Sequence, residues 1–109
     1  MHIDFSKLPI KELKNFYKGE GSVFTKIVLE DKNKIMYGTL PAGASIGEHT
    51  HTDNCEMFYV FQGSVKAICD GIEERITAGN LHYCPQGHTH TLINDTDGNV
   101  LYLSVIPRQ

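Results

Sequence analysis

The sequence predicts an all-β fold, a sandwich or barrel of short antiparallel strands, and three observations carry that prediction. Short runs rich in β-branched and aromatic residues recur along the chain, separated by clusters of turn residues: Asp31-Lys32-Asn33, Pro41-Ala42-Gly43-Ala44, Pro85-Gln86-Gly87 and Asp95-Thr96-Asp97-Gly98. Asp70-Gly71, set between two such runs, has the composition of a two-residue hairpin turn. His49 and His51 lie two residues apart, a spacing that an extended chain places on one face and a helix would splay by about 200°.

Taken in order, residues 7–18 carry Pro9 near their start and Gly19 just past their end, which reads as a short helical or turn segment. Residues 23–29 and 35–40 follow as two strands joined through the Asp31-Lys32-Asn33 turn. After the break at Pro41-Ala42-Gly43-Ala44, a strand runs to His51, and residues 56–61 form the next. Residues 64–69 and 72–77 pair across Asp70-Gly71. Tyr83, a strand at about residues 88–93, the Asp95-to-Gly98 turn and a strand at 100–106 complete the chain.

A chain of 109 residues with 40% hydrophobic and 21% charged residues is expected to form one domain, residues 1–109. At that size roughly two thirds of the unfolded chain's surface is buried on folding. The net charge is −3, and the lysines are spread mainly over residues 7–34, so no dense basic patch is offered to a phosphate backbone. Nucleic acid is therefore not an expected partner. No apolar run approaches the ~20 residues that cross a bilayer, and Met1 to Lys7 lacks a cationic start followed by an apolar stretch. The expected location is cytoplasmic, with no membrane partner. Cys55, Cys69 and Cys84 are odd in number and lack C-x-x-C spacing, so they read as free thiols.

The chemistry-bearing residues are His49, His51, Glu56 and His90. Glu56 lies five residues beyond His51, an odd offset that would turn it to the opposite face if one strand ran through both. The strand must break, and Thr52-Asp53-Asn54-Cys55 supplies an Asp-Asn pair suited to a turn, after which Glu56 opens a new strand facing inward. His90 arrives from a separate strand behind Pro85-Gln86-Gly87. Three imidazoles and one carboxylate are a borderline-hard donor set, suited to one divalent transition metal ion per chain, Mn, Fe, Ni, Co or Zn.

Parity also assigns neighbours. His88 lies two residues before His90 and turns toward the same interior as an acid/base or supporting residue, unless the nearby turn leaves it exposed at the strand mouth. Phe58 and Val60 share the face of Glu56, and Leu92 that of His90, making an apolar wall for a substrate pocket; core packing also accounts for Val60 and Leu92. His82 falls in the loop before Pro85 and is expected at the surface, and Asn94 is expected to form a turn.

These residues resemble the cupin family. The first motif of that family, G-x5-H-x-H-x4-E-x6-G, is matched by Gly43, His49, His51, Glu56 and Gly63, and the second, G-x5-P-x-G-x2-H-x3-N, by Gly79, Pro85, Gly87, His90 and Asn94. The motifs cover residues 43–63 and 79–94, with every fixed position present. The resemblance implies a small antiparallel jelly-roll barrel of the cupin 2 type, and a homodimer. It also implies chemistry on a small molecule, because cupins include dioxygenases, oxalate-processing enzymes, isomerases and lyases. A metal-dependent enzyme using open coordination positions of a 3-His/1-Glu ion is the first expectation, an oxygenase, lyase or isomerase by type. The alternative is a metal-containing binding or sensing module without turnover.

Overall fold

In a computed structural model covering residues 1–109, ten strands form two antiparallel sheets that face each other across a shared core. The strands are β1 (Lys11–Lys14), β2 (Ser22–Leu29), β3 (Asn33–Leu40), β4 (Ser45–Thr50), β5 (Glu56–Gln62), β6 (Ser64–Cys69), β7 (Ile72–Thr77), β8 (Leu81–Cys84), β9 (Thr89–Ile93) and β10 (Val100–Pro107). One sheet has the order β1-β2-β3-β10-β5-β8 and the other β4-β9-β6-β7. The all-β jelly-roll expectation holds. No helix is long and apolar enough to cross a membrane.

Alternation builds the core. Val23, Met36, Leu40, Phe58, Val60 and Tyr102 from the larger sheet meet Ile46, Val65, Ala67, Ile76 and Leu92 from the smaller one. Phe58 stacks on Tyr102 with ring centroids 4.6 Å apart and planes 17° from parallel. At the β6–β7 hairpin, Asp70 (φ 51°) and Gly71 (φ 79°) both take positive φ, the conformation a type I′ turn needs, and Cys69 pairs with Ile72 across it.

The N-terminal segment divides into three pieces. Short 3-10 turns at Phe5–Lys7 and Phe16–Lys18 flank β1, which the sequence reading did not contain. Its Lys-Glu-Leu-Lys composition favours helix in isolation, but pairing with β2 and packing of Leu13 against the core outweigh that preference. Lysines on such an edge strand also discourage pairing with other chains.

One irregularity decides the site. In the β4–β9 pair, Ile46 lies opposite Leu92 and His49 opposite His90, so three steps along β4 match two along β9. Ile46 faces the core, and three regular steps would turn His49 outward; the bulge at Gly47 and Glu48 restores the inward face.

Candidate metal centre

The four residues singled out by spacing converge. His49 comes from β4, His51 from just past its end, Glu56 from the first position of β5 and His90 from β9. The expected break lies between Thr50 and Glu56, where backbone bonds from His51 N to His88 O (3.1 Å) and from Gly87 N to His51 O (2.6 Å) hold the chain. His90 Nε2 is 3.0 Å from Glu56 Oε1, 3.0 Å from His51 Nε2 and 3.1 Å from His49 Nε2. Glu56 Oε1 is 3.1 Å from His51 Nε2 and 3.9 Å from His49 Nε2. His51, Glu56 and His90 are buried, and the His49 side chain is 10% exposed.

The outer ring nitrogens show what this cluster is built to hold. His49 Nδ1 is 2.7 Å from the carbonyl oxygen of Gly47, and His51 Nδ1 is 2.6 Å from Asn54 Oδ1. Both oxygens only accept, so both Nδ1 atoms donate, and in the neutral rings the Nε2 lone pairs point inward. Two inward lone pairs, the Nε2 of His90 and a carboxylate oxygen then meet within 4.8 Å of one another. Such a set is mutually repulsive unless protons or a cation share it, so the residues fit a divalent transition metal by the chemistry of their donors.

The electrostatics agree. Burial alone would raise the Glu56 pKa, but the surrounding His49, His51 and His90 imidazoles, when they carry a second proton, hold it well below the ordinary carboxylate range. For His51, burial pushes downward, yet the hydrogen bonds to Glu56 and Asn54 and the Glu56 charge raise it on balance. Burial dominates at His90 and lowers its pKa. The second Glu56 oxygen accepts a short hydrogen bond from the Ser104 hydroxyl on β10.

Beside the cluster lies a cavity of about 300 Å³, its open mouth included, walled by Phe16, Tyr17, Met36, Ile46, Tyr102 and Ile106. Lys34 is the cation on this wall. Tyr17 lies flat over His49, centroids 4.0 Å apart at 12°, held by a segment in which Asn15, Tyr17 and Lys18 all have positive φ. Tyr102 buries a hydroxyl that has no hydrogen-bond partner.

Several expectations need correction. Phe58, Val60 and Leu92 do face inward, but they are fully buried in the core and do not line the cavity. The wall opposite the cluster comes instead from β3, β10 and the segment before β2. Phe58→Ala is accordingly expected to cost about 3–5 kcal/mol of stability in urea denaturation, with metal content per folded chain unchanged. His88 precedes the first residue of β9 and escapes strand parity; its side chain is exposed and bound to the Asp70 carboxylate, off the cavity wall. His82, expected at the surface, is 1% exposed on β8, opposite Phe58 of β5. Asn80 and Pro85 shorten its run to four residues, which hid a strand of alternating burial.

Tyr17, Lys34, Ser104 and His82 were not among the expected site residues. Lys34 shares the parity of the inward-facing Met36 and Leu40, the one signal that could have found it. Asn94 makes its expected turn, accepting from Thr96 N and Oγ1, and its Nδ2 also donates to the carbonyl oxygens of Leu40 and Gly98, each at 2.8 Å. All three cysteines are free. Burial, with Cys69 and Glu56 nearby, pushes the Cys84 thiol up to about 12, which removes it as a nucleophile near neutral pH.

Comparison with known proteins places this arrangement. A Thermotoga maritima protein named oxalate-binding protein is 25% identical over 112 residues, spanning 97% of this chain and 93% of its own. A crystal structure described as a predicted oxalate decarboxylase from the same organism superposes with a TM-score of 0.92 at 24% identity, over 100% of both chains. KdgF from a Halomonas species superposes with a TM-score of 0.79 at 16% identity, over 95% of this chain and 89% of that one. At these identities the two structures establish the fold. The Cupin_2 family model, a cupin domain, matches residues 36–106. That span begins within β3, ends within β10 and includes all four converging donors, so the chain belongs to the cupin family.

Proposed function

We propose that this cupin holds one divalent transition metal ion through His49, His51, Glu56 and His90 and binds a small organic anion beside it. The observation that carries the reading is the convergence of imidazole nitrogens and one carboxylate oxygen next to a small cavity whose only cation is Lys34. When bound, such an ion supplies a Lewis-acidic or redox centre. Lys34 attracts and orients an anionic ligand, and the apolar walls exclude water and strengthen that attraction. Tyr17 covers His49 and limits ligand size, while Ser104 orients the Glu56 carboxylate. The enclosed space beside the cluster is small, which favours a ligand of few atoms. The relative named oxalate-binding protein supports a small dicarboxylate.

A second reading adds turnover of that anion, of lyase or oxygenase type; the likeness to the structure described as a predicted oxalate decarboxylase favours it. Besides the metal-site donors, Tyr17, Lys34 and Tyr102 are the titratable groups on the wall, and burial raises both tyrosines, which leaves Lys34 as the group to carry a proton in this reading. Calorimetry of metal-loaded protein with oxalate and other small carboxylates tests the binding. Metal-dependent binding is expected, weakened about 10-fold in Lys34→Met, the loss of one charge-assisted contact. No binding of any small carboxylate, or equal binding without metal, would falsify the reading. Carbon dioxide release and oxygen uptake in the same samples separate binder from enzyme.

A homodimer is proposed as well, through the outer face of the larger sheet. Phe24, Tyr37, Phe61, Leu81 and Tyr83 are each more than one-third exposed there, an apolar area of the kind that marks an interface. Sedimentation equilibrium should give twice the 12.2 kDa chain mass, and the monomer mass for Phe61→Lys.

A further inference from the structure

His90 is the one donor whose outer nitrogen meets another imidazole. Its Nδ1 is 3.0 Å from His82 Nε2, and His82 Nδ1 is in turn 3.0 Å from Glu74 Oε1. The two ring planes are 19° from parallel, with centroids 5.2 Å apart. Glu74 stands on β7 and His90 on β9 of the smaller sheet, while His82 reaches between them from β8 of the larger one. The His82 side chain is 0% exposed, whereas that of Glu74 is 53% exposed, so the chain of contacts runs from solvent to the buried cluster.

The direction of these bonds follows from Glu74. An ionised carboxylate can only accept, so His82 must carry its proton on Nδ1. Neutral His82 then has its lone pair on Nε2 and must accept from His90. That places the His90 proton on Nδ1 and leaves the His90 Nε2 lone pair aimed at Glu56 Oε1, His51 and His49.

We infer that Glu74 and His82 are positioning residues that lock His90 in its Nδ1-protonated tautomer, so that its Nε2 is preset to bind a metal ion. For His49 the same task falls to a backbone carbonyl, which cannot reverse, and for His51 to the amide oxygen of Asn54. His82 can donate or accept at either nitrogen, so it does this work only because Glu74 fixes its polarity. The tautomer assignment stands on hydrogen bonds alone; its consequence for metal affinity rests on the metal site proposed above.

The test is long-range proton–nitrogen NMR of metal-free protein at about pH 8, above the ordinary imidazole range, followed by titration with cobalt(II) read from its visible absorption. Wild type should show both His82 and His90 protonated on Nδ1. His82→Phe should shift part of His90 to the Nε2 tautomer and weaken cobalt binding by about 10–100-fold, the usual effect of losing such a supporting partner. Glu74→Leu, at an exposed position, should move the tautomers in the same direction with a smaller loss of affinity.

A wild-type His90 protonated on Nε2 overturns the inference, and needs no variant to fold. So does His82→Phe binding cobalt as tightly as wild type with an unchanged His90 tautomer, and unchanged tautomers in Glu74→Leu remove Glu74 from the chain. Wild type that binds no cobalt overturns the metal reading instead, and the tautomers still decide whether His82 positions His90.

Discussion

A His49→Ala/His51→Ala variant should emerge without metal, whereas wild type prepared without an affinity tag should carry about one transition metal ion per chain by elemental analysis. The two residues supply two of the four converging donors from one stretch of chain. A four-ligand structural zinc site is worth roughly 10–16 kcal/mol. If the donors share such a sum, losing two forfeits on the order of half, enough to empty the site at ordinary metal concentrations. Thermal unfolding gives a second reading of the same loss. Free metal at 100 times its dissociation constant adds about 2.7 kcal/mol. For a chain near 100 residues that corresponds to about 10–20 °C in Tm, so chelation should lower wild type by that amount and leave the double variant unmoved.

The same protein should bind metal more weakly as pH falls, and the decline should begin above the ordinary histidine range. His51 is raised in the metal-free protein by its hydrogen bonds to Glu56 and Asn54, so it still holds a proton where a free imidazole, near ~6.5, has lost it. Metal must displace that proton, and affinity therefore drops as pH descends through the raised value. Cobalt titrations across pH measure this directly. Wild-type protein that is fully folded and holds no metal under any of these conditions would rule out the site assignment.

Gly47→Ala should be among the most damaging single-methyl changes in the chain. A Cβ at Gly47 would lie 1.9 Å from the carbonyl oxygen of Tyr17, and one at Gly19 would lie 2.2 Å from that of Ser45. Both obstacles are backbone, so neither can swing aside. The two glycines are where the Phe16–Lys18 turn sits directly on β4, and that contact keeps the Tyr17 ring over His49. Ordinary overpacking costs about 1–3 kcal/mol; here the turn must also detach, so the loss should reach or exceed the upper end. Gly98→Ala is the control, because its Cβ meets no atom within 4 Å and its φ is not positive. It should stay within about 0.5 kcal/mol of wild type. Urea denaturation compares them, and equal stability would show that the turn is not clamped as described. Carboxylate binding by Gly47→Ala should weaken as well, since Tyr17 leaves the wall.

Much of this was legible in the residues. Asp70-Gly71 specified its hairpin because few dipeptides accept two positive φ values in succession. The parity argument at Glu56 required a break after His51, and the chain breaks there. Parity misled where strands were not regular. His88 falls in a turn and faces solvent, and His49 reaches the interior through a bulge that no local pattern announced.

Phe58 shows the other kind of limit. Its inward direction was right, but an inward direction does not say whether a cavity or another ring waits there, and Tyr102, 44 residues later in sequence, fills the space. Tyr17 and the Glu74–His82–His90 chain left no local mark either, because each depends on contacts between separate elements: Tyr17 on β4, and His82 of the larger sheet on two strands of the smaller one.

By itself, then, the sequence determined the all-β class, the turns and the four donors that share an interior, because side-chain direction along an extended strand repeats every two residues and is a local property. The tertiary structure decided what those donors meet: the bulge that turns His49 inward, the packed ring behind Glu56, the cation across the cavity and the imidazole behind His90. Those depend on which strands pair, in what register, and across which gap between two sheets, and pairing of distant segments leaves no periodic mark on either of them.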